Sequence, residues 1–327
     1  LIGGTGAVAS CRIVGTVTTD VDRLPVPPCL RQADLGTRAE VHRRPSLVDT
    51  AWWNAALADH RLPGGPVGGH PGLSGWTAPP PGSVASGARL LARTDLFALG
   101  RDLYHANLAA GSDPDPDKPE DDPAGAGGDA GPAGDASVGG VPAGVAPTGS
   151  GPARGGAWRR VDVAGLAALR VWWHVVAWDG GTAPAGRVEL VRAFAADLVA
   201  AARVLREAAA VAAGCPEAAY AWLRTGLAGL TGMADRPVRD WEPGALTAFL
   251  YVAGSGCQNH PCLVLNGAIA RTLTERCGWE SLPAADWSAT TYGRYCRLVR
   301  RWAVEETARR HRLVYPDQVE RWLASAD

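Results

Sequence analysis

The sequence predicts an all-α domain from about residue 156 to the C-terminus, preceded by a disordered acidic segment. Three observations carry this reading. Apolar residues recur at helical spacing in one stretch after another beyond residue 160. No alternating strand pattern interrupts them in that half, which leaves a layered helical architecture. Residues 112–155 consist mainly of Asp, Pro, Gly and Ala and open with Asp113, Asp115, Asp117, Glu120, Asp121 and Asp122. Such a stretch cannot bury enough apolar surface to offset the entropy of ordering it.

The elements follow in order. Residues 1–45 are hard to interpret. Gly3, Gly4 and Gly6 resemble a dinucleotide-binding turn, but the strand before them would be two residues long and Pro25, Pro27 and Pro28 end any continuation. Residues 46–111 form a helical N-terminal part that packs on the main domain. It holds a short amphipathic segment at 48–57 and a helix over Leu90–Leu108, with Asp95 towards its start. In the main domain, 156–327, helices are expected over Val161–Val176, Arg187–Ala212, Pro216–Leu230, Gly244–Ala253, Gly267–Cys277, Ser288–Arg310 and Pro316–Ala324. Pro216 suits a first helical turn.

Composition excludes several classes. The formal net charge of −1 points to no partner by itself, although the linker is acidic and the main domain mildly basic. No apolar run reaches the roughly 18 residues that cross a bilayer, so no membrane partner is expected. Seven cysteines, an odd number without a secretory signal, indicate a reducing, cytoplasmic setting rather than a disulfide scaffold. Cys257, His260, Cys262 and Cys277 match neither a zinc knuckle nor a four-cysteine cluster, so no metal or other cofactor is assigned. His174, on an apolar helix, reads as a hydrogen-bonded core histidine. The only lysine, Lys118, lies in the linker.

One block stands out: Glu242-Pro243-Gly244-Ala245-Leu246-Thr247-Ala248-Phe249-Leu250-Tyr251, followed by Pro261-Cys262-Leu263-Val264-Leu265-Asn266 at the start of the next helix. Its flanks are Trp178-Asp179-Gly180, Ala219-Tyr220-Ala221-Trp222-Leu223, Tyr292-x-x-Tyr295 and Asp317-x-x-Glu320-x-x-Leu323. In order and spacing these blocks resemble the helix-hairpin-helix DNA glycosylases, in the version found in bacterial proteins similar to 8-oxoguanine DNA glycosylase. The resemblance spans about Leu166 to Leu323. It implies a hairpin that offers backbone N–H groups to a DNA phosphate, here around Pro243, Gly244 and Thr247, and a pocket for an extruded base. It also implies a lysine that forms a Schiff base with the sugar and an aspartate supporting the charge that develops.

At those two positions this sequence has Ala248 and Asn266, and Leu246 replaces the hairpin's second glycine. Alanine is no nucleophile, asparagine no base, and no lysine follows residue 155 to substitute. The resemblance then implies a catalytically degenerate homologue that keeps DNA or nucleobase contacts. Two alternatives stand beside it: a rebuilt acidic site using Asp179, Glu242, Glu275 or Asp286, and a non-catalytic protein-interaction scaffold. Arg294, Arg297 and Arg301 fall at i, i+3 and i+7, with Arg309, Arg310 and Arg312 beyond. They form either a phosphate-binding stripe or a solvated face paired with Glu305 and Glu306.

Overall fold

The computed structural model describes residues 23–60, 62, 88–111, 160–180, 187–230, 243–256 and 261–325. The glycines at 3–6, the acidic linker, Glu242, Cys257 and His260 lie outside them. Among the described residues the elements run α1 (Pro28–Gln32), α2 (Arg38–Arg43), β1 (Pro45–Asp49), α3 (Thr50–Asp59), β2 (Ala88–Ala92) and α4 (Arg93–Gly111). They continue with α5 (Val163–Gly180), α6 (Val188–Ala196), α7 (Leu198–Ala212), α8 (Pro216–Ala228) and α9 (Pro243–Ala253). A 3-10 turn at Gly254–Gly256 precedes α10 (Gly267–Cys277), α11 (Ala289–Arg310) and α12 (Pro316–Ser325). The fold is helical, with one small sheet.

That sheet corrects the helix expected from Leu90. β1 and β2 pair antiparallel, Pro45 opposite Ala92 and Asp49 opposite Ala88, and each runs without a loop into the helix that follows. Leu90 and Leu91 are therefore strand residues, and the helix begins at Arg93. The expected single helix over Arg187–Ala212 is also broken. Asp197 leaves helical geometry (φ −140°, ψ 60°), and its carboxylate accepts from the Ala200 N–H to cap α7. Caps fix other boundaries: Asp49 bonds Trp52 N–H, Asn266 bonds Ile269 N–H and Ser288 bonds Thr291 N–H, each at 3.0 Å. Gly278, at φ 81°, closes α10 in the left-handed conformation that glycine adopts without strain.

The buried core is continuous across the linker. Trp53 of α3 lies 6.4 Å from Trp173 of α5, which meets Phe194 of α6 edge-on at 5.1 Å. Trp172 stacks on Phe194 and meets Phe249 of α9 at 5.7 Å. Residues 23–43, illegible in the sequence, form part of the same body. Trp302 of α11 donates to the Leu24 carbonyl at 3.0 Å, and α2 carries a complete capping box between Thr37 and Glu40. His174 is buried in α5, its Nδ1 2.8 Å from the Arg170 carbonyl oxygen, and burial pushes its pKa down to about 4. No described helix is long and apolar enough to cross a membrane.

Candidate functional site

Helix α9 runs through the interior, with every residue from Gly244 to Ala253 buried. Beside it lies a non-helical strip, Leu263–Leu265, that has no strand partner among the described residues. Its backbone groups are buried and must find partners in side chains. Leu263 N–H donates to Tyr292 Oη at 3.2 Å, and that hydroxyl donates back to the Leu263 carbonyl at 2.9 Å. Val264 N–H donates to Glu320 Oε2 at 2.9 Å, and Tyr295 Oη donates to the Val264 carbonyl at 2.7 Å. Leu265 N–H donates to Thr247 Oγ1 at 3.0 Å, while the Leu265 and Gly244 carbonyls lie within 3.0 Å of that hydroxyl. Tyr292, Tyr295, Thr247 and Glu320 thus act together as a mould for the strip. The strip ends at Asn266, the N-cap of α10.

Asn266 opens onto a cleft of about 410 Å³, a volume within the range of small-molecule sites, lined also by Arg44, Ser46, Arg93, Trp178, Asp179, Val264, Ile269, Glu320 and Arg321. Arg93 forms its charged floor. Its guanidinium lies 5.5 Å from the Trp178 ring centroid and 5.1 Å from that of Tyr251. It donates to Glu320 Oε1 at 2.7 Å, and Glu320 is 0% exposed. Burial above all, with the nearby Asp317 charge, pushes the Glu320 carboxyl up, against the Arg93 charge and the Val264 N–H. Burial also opposes the charge on Arg93, but Glu320 and Tyr251 outweigh it and hold the guanidinium above its ordinary pKa. The polar chain continues outward. Tyr251 Oη lies 3.5 Å from Asp317 Oδ2, which Arg38 and His42 also reach at 3.0 and 2.6 Å. Those two partners hold the Asp317 carboxyl below its ordinary value despite its burial.

Asp179 ends the Trp178-Asp179 turn of α5 and lies across the cleft wall from Asn266. Its side chain is 12% exposed and its Oδ2 is 3.4 Å from Arg187. Gly244 lets the two approach α9. A methyl group there would sit 3.2 Å from Asn266 Cβ and 3.4 Å from Asp179 Oδ1.

The residues singled out from the sequence are thus partly gathered. Asn266 lines the cleft. Ala248 does not: it is fully buried in α9. It shares a helix face with Gly244 one turn before it and Tyr251 one turn after it. Thr247, expected among the DNA contacts, is buried and its hydroxyl is committed to Leu265, while Gly244 is closed in by Asn266 and Asp179. Pro243 is half-buried at the start of α9. Of the weighed acids, Asp179 alone among the described residues reaches the cleft. Glu275 is exposed on α10, and Asp286 pairs with Arg224 elsewhere.

The arginine stripe is largely engaged within the fold. Arg297 lies 3.8 Å from Glu217, Arg301 bonds the Leu24 carbonyl and lies 3.5 Å from Glu305, and Arg294 is half-buried. Arg309 and Arg310 clasp Glu306 and donate to the carbonyls of Leu30, Arg31 and Ala33 at the end of α1; Arg312 reaches the Gly36 carbonyl. These side chains tie residues 23–36 to α11. Arg93 and Glu320 were the residues that sequence reasoning passed over. The signal for them was an acid at i+3 from Asp317 on a helix whose neighbours at Val319 and Leu323 are apolar. Cys262 and Cys277 are buried, and no metal-binding group of His, Cys, Asp and Glu occurs among the described residues.

The fold is mostly helical, and the buried helix α9 and the capped start of α10 meet beside one cleft. The match to known families agrees with it. Residues 155–324, just over half of the chain, match the family described as "Putative 8-oxoguanine DNA glycosylase OGG-like protein", and the chain belongs to that family. No curated protein and no solved structure matches it.

Proposed function

We propose that this protein binds DNA carrying an extruded nucleobase in the Arg93–Asn266 cleft, and that the amine-based Schiff-base chemistry of the resemblance is absent from it. One observation carries the reading: one cleft is lined by an aromatic ring, a guanidinium, an amide and a carboxylate, those of Trp178, Arg93, Asn266 and Asp179. Trp178 and the Arg93 guanidinium offer a flat face and an array of donors, the features that read an unstacked base. Arg44 and Arg321 stand at the cleft rim, where cations would meet the phosphates flanking that base. The family assignment supports DNA as the partner over a protein surface.

The test is binding of the full chain to duplexes with and without a single 8-oxoguanine, followed by anisotropy across a salt series, with borohydride trapping in parallel. The damaged duplex is expected to bind more tightly and to give no covalent adduct. The double variant Arg44→Gln/Arg321→Gln is expected to flatten the log–log salt slope by about 2. Equal affinity for both duplexes, or an unchanged slope, would remove the cleft as the base site. A trapped adduct would show that an amine still attacks.

A further inference from the structure

We propose that residues 38–46, which lie outside the matched residues 155–324, are the selectivity wall of the cleft, and that Asp317 is the positioning residue that holds them there. The proposal rests on the cleft being the base pocket. Its own basis is the way one helix grips both ends of the small sheet. Val41, Arg44, Pro45 and Ser46, from the end of α2 and the start of β1, line one part of the cleft, and Arg93 lines another. The two parts are joined across the β-ladder, because Pro45 stands opposite Ala92, the residue before Arg93. Wall and floor are thus one unit of the fold.

Helix α12 holds that unit at two points one turn apart. Asp317 takes the α2 end: Arg38 Nε donates to its Oδ2 at 3.0 Å, and His42 Nε2 lies 2.6 Å from the same oxygen. Glu320, three residues on and so on the same helix face, takes Arg93 at 2.7 Å. Tyr251 joins the two grips, its hydroxyl 3.5 Å from Asp317 Oδ2 and 3.4 Å from Arg93 Nη1. Neighbouring rings fix the α2 side chains as well. The Arg38 guanidinium lies 4.2 Å from the Tyr315 ring centroid, and His42 meets Phe97 of α4 edge-on at 4.8 Å.

The two grips differ in kind. Both acids are buried, but Arg38 is 40% exposed whereas Arg93 is 10% exposed, so water competes for the first cation far more than for the second. All the contacts of Asp317 converge on Oδ2, and its buried Oδ1 accepts no hydrogen bond among the described residues. Removing the charge at 317 therefore weakens every contact at once. Helix α2 has six residues, with Val41 as its buried one, and its capping box secures only the first turn. A helix this short has no stability of its own, so its place over the cleft depends on what it docks against. Arg44 follows α2 directly and Pro45 opens β1, so freeing α2 displaces the wall while Trp178, Asn266 and Arg93 keep theirs. A pocket open on one side still holds a base but loses the contacts that tell one base from another.

The experiment compares the full chain with its Asp317→Asn variant in two measurements. Anisotropy gives the affinity for a duplex with one 8-oxoguanine and for its undamaged counterpart, and amide hydrogen exchange read by mass spectrometry follows residues 38–46. In the parent, the damaged duplex should slow exchange over 41–46. In Asp317→Asn, exchange over 38–46 should be faster, and the ratio of the two affinities should fall roughly tenfold, as expected for lost hydrogen bonds to a charged group. Affinity for the undamaged duplex should stay the same, which a general loss of structure would not allow. Arg38→Gln, at a partly exposed position, should act in the same direction and is the deciding variant if Asp317→Asn fails to fold. Faster exchange with an intact ratio, a lost ratio without faster exchange, or no change in either overturns this proposal and leaves the binding reading standing. Absence of damage-dependent binding by the parent overturns the binding reading itself, and with it the selective role of residues 38–46.

Discussion

The Arg93–Glu320 pair makes the sharpest quantitative demand on the fold. In Arg93→Met, a side chain of similar length replaces the guanidinium and leaves Glu320, which is 0% exposed, without its cation. Breaking a buried ion pair from one side costs about 3–5 kcal/mol, because the remaining charge is desolvated and uncompensated. Glu320 has one retreat. Burial already pushes its carboxyl up, and without Arg93 it rises further, so the carboxyl can take a proton and still accept from the Val264 N–H. The sign of the pH dependence follows. A carboxyl whose folded pKa lies above its unfolded value supports the fold fully below the unfolded pKa and loses that support as pH rises through the folded pKa. The variant should therefore be weakest at pH 8 and recover towards pH 5 more steeply than the parent, whose Glu320 carboxyl is raised less. Urea unfolding at the two pH values, with m compared, measures this directly. Arg93→Met/Glu320→Gln should cost less than Arg93→Met alone at pH 8, since no charge is left buried. A single-variant cost below about 1 kcal/mol at pH 8, with unchanged m, would refute the claim that these two charges are buried together.

Two further expectations concern the supports of the cleft. Thr247→Val keeps the shape of the side chain but strands the buried Leu265 N–H, and should cost about 1–3 kcal/mol in urea unfolding. The same variant should weaken damage-dependent binding, since the strip it anchors ends at Asn266; a stability loss with unchanged binding would show that the strip does not position the cleft. His174 is held neutral, with a folded pKa of about 4 below its ordinary 6.5, so it favours the fold above pH 6.5 and loses that contribution as pH falls towards 4. The full loss is about 3 kcal/mol, and His174→Leu should remove the stability slope between pH 6.5 and 5; a slope that persists in the variant would place it on other groups.

What the sequence made legible was local. Asn266, Ser288 and Pro216 mark helix starts because a cap or a ring acts within three or four residues, and the structure opens α10, α11 and α8 there. The break at Asp197 was hidden because it sits in an alanine-rich run whose propensity favours helix throughout. The β1–β2 pair was hidden because two five-residue strands acquire meaning only when they meet. The same holds for the site. Asp179 and Asn266 could be named as chemistry-bearing residues, and the structure places both at the cleft. Arg93 and Glu320 stand 227 positions apart, and no periodicity links them. The arginine stripe was legible only as a pattern. Its helical spacing is real, but its partners, Glu217 and the Leu24 carbonyl, come from distant segments.

Position 266 separates what this fold requires from what the resemblance implies. A residue at the start of α10 has two separable tasks: to cap the helix and, in the resemblance, to carry a negative charge. Asn and Asp cap helices about equally well, and Asn266 still bonds the Ile269 N–H at 3.0 Å. Loss of the charge therefore leaves the helix start intact. Position 248 behaves alike, since alanine in the middle of a buried helix has the best helical propensity and leaves no amine to desolvate. Both changes are neutral or favourable for folding, so stability gives no reason for the lysine or the aspartate to persist. The mould of Tyr292, Tyr295, Thr247 and Glu320 is different. Each member satisfies a buried backbone group, and losing any one would leave that group unpaired. The architecture of the cleft is thus bound to the stability of the fold, while an amine at position 248 or a charge at position 266 is not.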